Sequence, residues 1–314
     1  MSSLVTIGET MARLSSPHVG RLRHVGALDL GVAGAESNVA IGFTRLGGNA
    51  SWTGRIGDDE LGALVESTIR GQGVRTRAVR DSSARTGLML KEHRSADLSN
   101  VVYYRDRSAG SRIAPDDLDE ELIAGADIVH LTGITAALST TALNAVHDAA
   151  AIARSRSTAL SFDLNYRAAL WSPDDASKTL RQLVECADIV FATEDEARLI
   201  VDGNDAASLA RAVAHLGPSE VVIKRGEHGS VAAIGDEIYE SMAVPVRAID
   251  PVGAGDAFAA GYLFEWTKHL DPQHLLLTAS RAGAYAVTVD GDWEGSPTYD
   301  ELAALASAGG KVMR

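Results

Sequence analysis

The chain has a single cysteine, Cys186, which excludes an internal disulfide and any cysteine-built metal cluster. It lies in Leu183-Val-Glu-Cys-Ala-Asp188 and reads as a small core residue. No run approaches the ~18–20 uninterrupted apolar residues of a membrane span. The opening Met1-Ser-Ser-Leu-Val-Thr-Ile-Gly8 has no basic stretch leading into an apolar one, so no secretory leader is expected. These absences point to a reducing, cytoplasmic setting. Basic residues are also in short supply, 29 against 42 acidic ones, for a net charge of −13. Such a surface repels nucleic acid and anionic membranes, so neither is an expected partner. An anionic ligand has to be met locally, by a few Arg or Lys side chains, a helix N-terminus, a nest of backbone amides or a divalent cation.

What is present is ordinary globular material, with 46% hydrophobic and 23% charged residues. The 314 residues suit one large α/β domain with a small accessory unit. Short apolar runs predict strands over 4–8, 128–133, 159–163, 189–192, 221–224 and 230–234. Amphipathic patterns predict helices over 139–155, 173–185, 193–201, 205–216, 255–269 and 272–289. Ser139, Ser172 and Thr193 are good caps, the last with Glu196 three residues on. Strands separated by single helices imply right-handed crossovers and a mostly parallel sheet, with ligands beyond its carboxyl ends. The first hundred residues differ. Short β-like pieces at 11–14, 24–30, 86–91 and 100–104 are interrupted by helical stretches at 36–46 and 59–72. They suggest a small separate sheet, a lid over the cleft. Its apolar residues, among them Val25, Leu28, Leu88 and Leu90, suggest that it finds a partner.

The strongest motif is Asp250-Pro-Val-Gly-Ala-Gly-Asp-Ala-Phe-Ala-Ala-Gly261. Amides of Gly253, Ala254 and Gly255 ahead of a helix can converge on one anion. Asp256 falls in the first helical turn beside that anion, placed to accept a proton or help hold a cation. Phe258 stands where a dinucleotide fingerprint has its third glycine, and no Gly-Lys-Ser/Thr loop occurs. A second glycine turn, Lys224-Arg-Gly-Glu-His-Gly229, follows a buried strand. Lys224, Gly226 and Gly229 there fit either a plain hairpin or a nucleotide edge. Val32-Ala-Gly-Ala-Glu-Ser-Asn38 opens a helix with small residues, which a simple cap also explains. Asp163, Asn165 and Arg167 stand just past a strand, where sites lie. Tyr103 and Arg105 alternate on one face of a lid strand, facing either ligand or solvent. His130 reads as a buried strand residue, and no metal-ligand histidine spacing or Gly-x-Ser-x-Gly elbow is present.

Taken together and in this order, the motifs resemble the ribokinase-like (phosphofructokinase-B type) carbohydrate kinases from end to end. Further matches are Thr6-Ile-Gly-Glu-Thr-Met11, Arg21-Leu-Arg-His24, Gly54-Arg-Ile-Gly-Asp-Asp59, Leu131-Thr-Gly-Ile-Thr135 and Val287-Thr-Val-Asp-Gly-Asp292. The resemblance is strongest to members acting on 2-keto-3-deoxygluconate. It implies a three-layer α/β/α fold with a mostly parallel sheet and a β lid that mediates dimers in many members. It implies one kinase domain over 1–314, with lid pieces from about 11–31 and 86–107. It implies transfer of the ATP γ-phosphate to the sugar acid's 6-hydroxyl, with Asp256 as general base and Gly253, Ala254 and Gly255 as the anion hole. ATP would run along Lys224, Gly226 and Gly229, with Asn165 near. The sugar acid would meet Gly34, Asn38, Tyr103, Arg105 and Arg167, with Asp292 close, and Glu196 would hold Mg²⁺ through water. A monovalent cation beside Asp250 is left open.

Four positions depart from the family pattern: Thr193 for Asn, Leu164 for a frequent Pro, Met89 for a frequent Tyr, and Ala33 for a Gly. Two other readings stay open, a same-fold kinase of a neutral sugar such as ribose or fructose, and a sugar-acid sensor without turnover.

Overall fold

The computed structural model describes residues 2–95 and 98–307. Residues 96 and 97 of the expected lid lie outside the described residues. The chain runs β1 (Ser3–Ile7), β2 (Met11–Ser15), β3 (Asp29–Ala33), α1 (Ala35–Arg45), β4 (Asn49–Gly57), α2 (Glu60–Gly71), β5 (Arg75–Asp81), β6 (Leu88–Ser95) and β7 (Leu98–Tyr104). It continues through α3 (Glu120–Ala124), β8 (Ile128–Thr132), α4 (Gly133–Leu138), α5 (Thr140–Arg156), β9 (Ala159–Asp163), α6 (Pro173–Val184), β10 (Ile189–Thr193), α7 (Glu194–Arg198) and α8 (Ala206–Ala214). The last elements are β11 (Glu220–Lys224), β12 (Ser230–Ile234), β13 (Glu237–Ser241), α9 (Ala254–Trp266), α10 (Pro272–Ala286) and α11 (Tyr299–Ser307).

Nine strands form one sheet in the order β13-β12-β11-β10-β9-β8-β1-β4-β5. Pairing from β5 through β11 is parallel, and the two pairs at one edge, β11–β12 and β12–β13, are antiparallel. The inner strands β8, β10 and β11 are near-continuous apolar runs because helices cover both of their faces. On one side Ala149, Leu180, Leu209 and Val213 of α5, α6 and α8 pack on Val129, Leu131 and Phe162. On the other, Phe43, Tyr262, Leu263 and Leu276 of α1, α9 and α10 pack on Leu4, Ile128 and Phe191. This is the ribokinase-like three-layer arrangement. Helix α9 is buried on every side from Ala257 to Glu265, which fixes the direction and height of its N-terminus.

The small sheet has the order β3-β2-β6-β7, with β2 and β6 parallel and the outer pairs antiparallel. Its second piece begins later than the sequence pattern predicts. Residues 22–24 make a single 3₁₀ turn, and Asp29–Ala33 is the segment that pairs with β2. The helix expected over 193–201 is trimmed to Glu194–Arg198, opened by the Thr193–Glu196 capping box. Cys186 is half-buried, packed against the core from its margin. His130 is fully buried, its Nδ1 2.9 Å from Ser161 Oγ, and burial with the nearby Lys224 charge pushes its pKa down to about 3. Among the described residues, no helix is long and apolar enough to cross a membrane.

Candidate active site

A cavity of about 420 Å³ lies between the carboxyl ends of the large sheet and the inner face of the small one. That volume suits a small organic ligand. Strand ends supply Asn165, Thr193 and Lys224 to its wall, and the lid supplies Met89, Lys91 and Tyr103.

Its floor is the start of α9. Gly253 caps the helix in the left-handed region at φ 77°, and a Cβ there would stand 1.7 Å from the Asp292 carbonyl oxygen, so only glycine fits. Gly253 and Gly255 line the cavity. The Ala254 amide instead donates a long 3.4 Å turn bond to the Pro251 carbonyl. Asp256 follows in the first turn, half-buried, and accepts a 2.7 Å hydrogen bond from Asn38 Nδ2 of α1. Burial pushes the Asp256 carboxyl up to about 7, against the Asn38 hydrogen bond, with further upward push from Asp163 and downward pull from Lys224 and Arg167. A carboxyl near 7 is matched to taking a proton at neutral pH.

Lys224 ends β11 and reaches across to Asp163 at the end of β9, Nζ 2.5 Å from Oδ2. Burial works against its charge, but Asp163, Glu196 and Asp256 outweigh it and raise its pKa. Asn165, in the left-handed region at φ 39°, donates its amide to Asp163 Oδ1 at 3.2 Å. Gly226 lines the cavity, whereas Gly229 lies beyond it, where its missing Cβ makes room for the Ser241 carbonyl. Glu196 lines the cavity, but its two oxygens already accept amides, from Tyr166 at 2.9 Å and Thr193 at 2.8 Å. Among the described residues no three His, Cys, Asp or Glu side chains stand together as a metal cage. With both oxygens on backbone amides, Glu196 is placed to meet a divalent cation through water rather than directly.

On the lid side, Gly34 caps α1 where a Cβ would press to 2.6 Å on the Glu9 carbonyl oxygen. Arg105 is buried, its Nε donating to Glu9 Oε2 at 2.8 Å and its guanidinium 5.5 Å over the Tyr103 ring. Asp292 accepts from Arg13 Nη1 at 2.6 Å. Arg167 differs from these. It is exposed at the cavity mouth, with one Nη1 bond to the Tyr166 carbonyl at 3.1 Å and no ion pair among the described residues. The structure thus brings all the expected positions to one cavity except Gly229 and Ala254. It adds Glu9 and Lys91 to the lining, and Arg13 holds Asp292 from outside it; the sequence reading passed over all three. The alternation of Met89 and Lys91 on one strand face, and the place of Glu9 just past β1, were the available signals.

The comparisons agree with this geometry. The model of the pfkB family of carbohydrate kinases matches residues 1–299. The chain is 36% identical to the 2-dehydro-3-deoxygluconokinase of Thermoproteus tenax over 98% of this chain and 95% of that one. It is 35% identical to the 2-dehydro-3-deoxygalactonokinase of Haloferax volcanii, covering 93% and 92%. Its fold matches a ribokinase-type E. coli chain solved in complex with ATP and Mg²⁺, with a TM-score of 0.91 at 23% identity, covering 98% and 99%. A cavity at one sheet's carboxyl ends, floored by Gly253, Gly255 and a half-buried aspartate, in a chain matched over almost its whole length, leads to one conclusion: this chain belongs to the pfkB family of carbohydrate kinases.

Proposed function

We propose that the chain transfers the γ-phosphate of ATP to the 6-hydroxyl of a 2-keto-3-deoxy sugar acid, 2-keto-3-deoxygluconate in the first instance, and that residues 1–314 act as one kinase domain with the small sheet as lid. One observation carries the reading. The cavity holds Asp256 beside the Gly253–Gly255 turn, and at its mouth Arg167 is a guanidinium with no ion pair among the described residues. A neutral sugar has no use for that group, whereas two parallel N–H donors match a carboxylate. The names of the two curated relatives support a sugar acid and divide between its gluco and galacto forms.

In the proposed mechanism the carboxylate of the substrate docks on Arg167, and Gly34, Asn38 and Tyr103 face the sugar. Asp256 takes the proton of the 6-hydroxyl as its oxygen bonds to the γ-phosphorus. The bond from that phosphorus to the bridging oxygen breaks and ADP leaves. The amides at the start of α9 and the ammonium of Lys224 meet the charge spread over the transferring oxygens. Mg²⁺, when bound with the nucleotide near Glu196, supplies further charge neutralisation. Asn38 orients the Asp256 carboxyl through its Nδ2 hydrogen bond. An acidic protein handles two anionic substrates because these donors are local.

The test is a coupled assay of ADP release over a panel of the two epimeric keto acids, gluconate, ribose and fructose. Faster turnover of a keto acid than of either neutral sugar is expected. Preference for ribose or fructose overturns the substrate class, and no turnover with any of them overturns the kinase reading.

A further inference from the structure

The family resemblance leaves room for a monovalent cation beside Asp250, and the residues found there do not fit one. Asp250 is 1% exposed and its carboxylate is already surrounded. Oδ1 accepts the Val252 amide at 3.2 Å, Oδ2 accepts the Gly291 amide at 3.1 Å, and Oδ2 also takes the ammonium of Lys91. Lys91 comes from lid strand β6 and is 0% exposed, with Asp290 Oδ1 as a second acid at 3.6 Å. His93 Nε2 stands 3.6 Å from the same Asp290 oxygen. These contacts hold the Asp250 carboxyl below the usual carboxylate range despite its burial. A buried ammonium without a counter-charge is far too costly to keep, so Lys91 and Asp250 are committed to each other.

We infer that the Lys91 ammonium is the resident cation of Asp250, so that phosphoryl transfer by this chain needs no added monovalent cation. Asp250 opens the turn that leads through Val252 and Gly253 into α9. Lys91 fixes Asp250, Asp250 fixes the Val252 amide, and the turn presents Gly253 and Gly255 to the cavity. Arg13 of β2 makes a second link by holding Asp292, whose carbonyl packs on Gly253. Lys91 is thus a positioning residue that acts through Asp250. A free cation at Asp250 would have to displace an ammonium tethered to the lid.

The inference rests on the kinase reading, and its test separates the two. Wild-type kcat is measured in potassium and in tetramethylammonium at equal ionic strength, and a change of less than about twofold is expected. Lys91→Met should lose at least about tenfold in kcat in tetramethylammonium, the scale of a lost charged hydrogen bond. The double variant Lys91→Met/Asp250→Asn should be no slower than Lys91→Met, because the two residues act as one unit. A tenfold potassium activation of the wild type, a Lys91→Met variant at the wild-type rate, or multiplying losses in the double variant overturns the inference. Thermal unfolding gives a readout without turnover. The wild-type midpoint should differ by less than about 1 °C between the two salts, and a saturable rise with potassium overturns the inference by linkage. If no sugar acid is phosphorylated while the midpoint is indifferent to potassium, the kinase reading has failed and the cation assignment stands.

Discussion

The two sheets are built on opposite principles. The inner strands of the nine-stranded sheet are apolar on both faces and gain their stability from burial, with Phe191 set edge-on against Phe258 and Tyr262. Among the described residues, the buried apolar cluster on the lid's inner face is Met11, Ala33 and Met89, with Val101 against it. Its inward charges, Arg13 and Lys91, together with Arg105 just past β7, are each matched to an acid outside the sheet. Its outer face carries a cross-strand row of Leu30, Leu14, Leu90 and Val102. The large sheet thus supplies rigidity, and the lid supplies charge that is spoken for. Arg167, the cation proposed for the substrate carboxylate, follows β9 at the large sheet's carboxyl edge.

The largest effect should follow from the rigid side. Asp256→Asn keeps the shape and the Asn38 contact but removes the proton acceptor, so kcat should fall ~10²–10⁴-fold while ADP affinity measured by calorimetry is largely kept. A loss below tenfold would leave Asp256 as a first-turn acid or cation neighbour only. The same group sets a pH signature. Its carboxyl is raised to about 7, so wild-type kcat/KM should climb as pH rises through that value, and Asp256→Asn should lose this limb. For stability the sign is opposite. The folded state binds this proton more tightly than the unfolded chain, so folding loses stability as pH rises from about 4 to about 7. Asp256→Asn should therefore raise the unfolding free energy by about 1–3 kcal/mol at pH 8, discounted for the solvent at the cavity edge, and by less at pH 4.

Phe191→Ala should cost ~3–5 kcal/mol in denaturant unfolding, because the site it empties is walled by rings that cannot collapse. Tyr104→Ala, on a lid residue that is 61% exposed, should cost less than ~0.5 kcal/mol. Equal losses at these two positions would break the contrast between the sheets. Arg167→Lys keeps the charge and loses the fork, so KM for the keto acid should rise about tenfold with KM for ATP nearly unchanged. Unchanged keto-acid kinetics would overturn the sugar-acid reading in favour of a same-fold kinase of a neutral sugar. The smallest energetic change should come from Val102→Asp. We expect the wild type to be a dimer through the lid's outer face in light scattering, and this variant to be monomeric with its unfolding midpoint little altered. A wild-type monomer at micromolar concentration removes the dimer.

The same contrast decides what could be read from the sequence. Strands β8 to β11 were legible because buried parallel strands are apolar runs with helices between them, and β12 because it is an apolar run after a glycine turn. Strand β4, Asn-Ala-Ser-Trp-Thr-Gly-Arg-Ile-Gly, was not, since its polar and glycine positions carry no period. Edge strand β5 alternates arginines with small residues, and β13 is half acidic, so neither shows an apolar face. In the site, glycine turns and strand ends marked Asp256, Lys224 and Arg167. Lys91 and Glu9 escaped because a charge on a short strand or loop reads as solvated until its partner, 159 residues away for Lys91 and 96 for Glu9, is placed beside it.

The parallel pairing of β2 with β6 also has a consequence for how the molecule assembles. Between those strands the chain must leave the lid, lay down α1, β4, α2 and β5, and come back. The lid is therefore a product of the large sheet's closure. Its two local pairs, β2–β3 and β6–β7, are joined only by the long-range β2–β6 pairing, and such contacts are slow because the intervening loop loses its freedom first. The cavity is completed at the end of folding, by the part of the molecule with the least apolar surface to hold it. In a refolding experiment followed by pulsed hydrogen exchange, amides of β8 to β11 should gain protection first and those of β6 and β7 last, with catalytic competence returning on the later timescale.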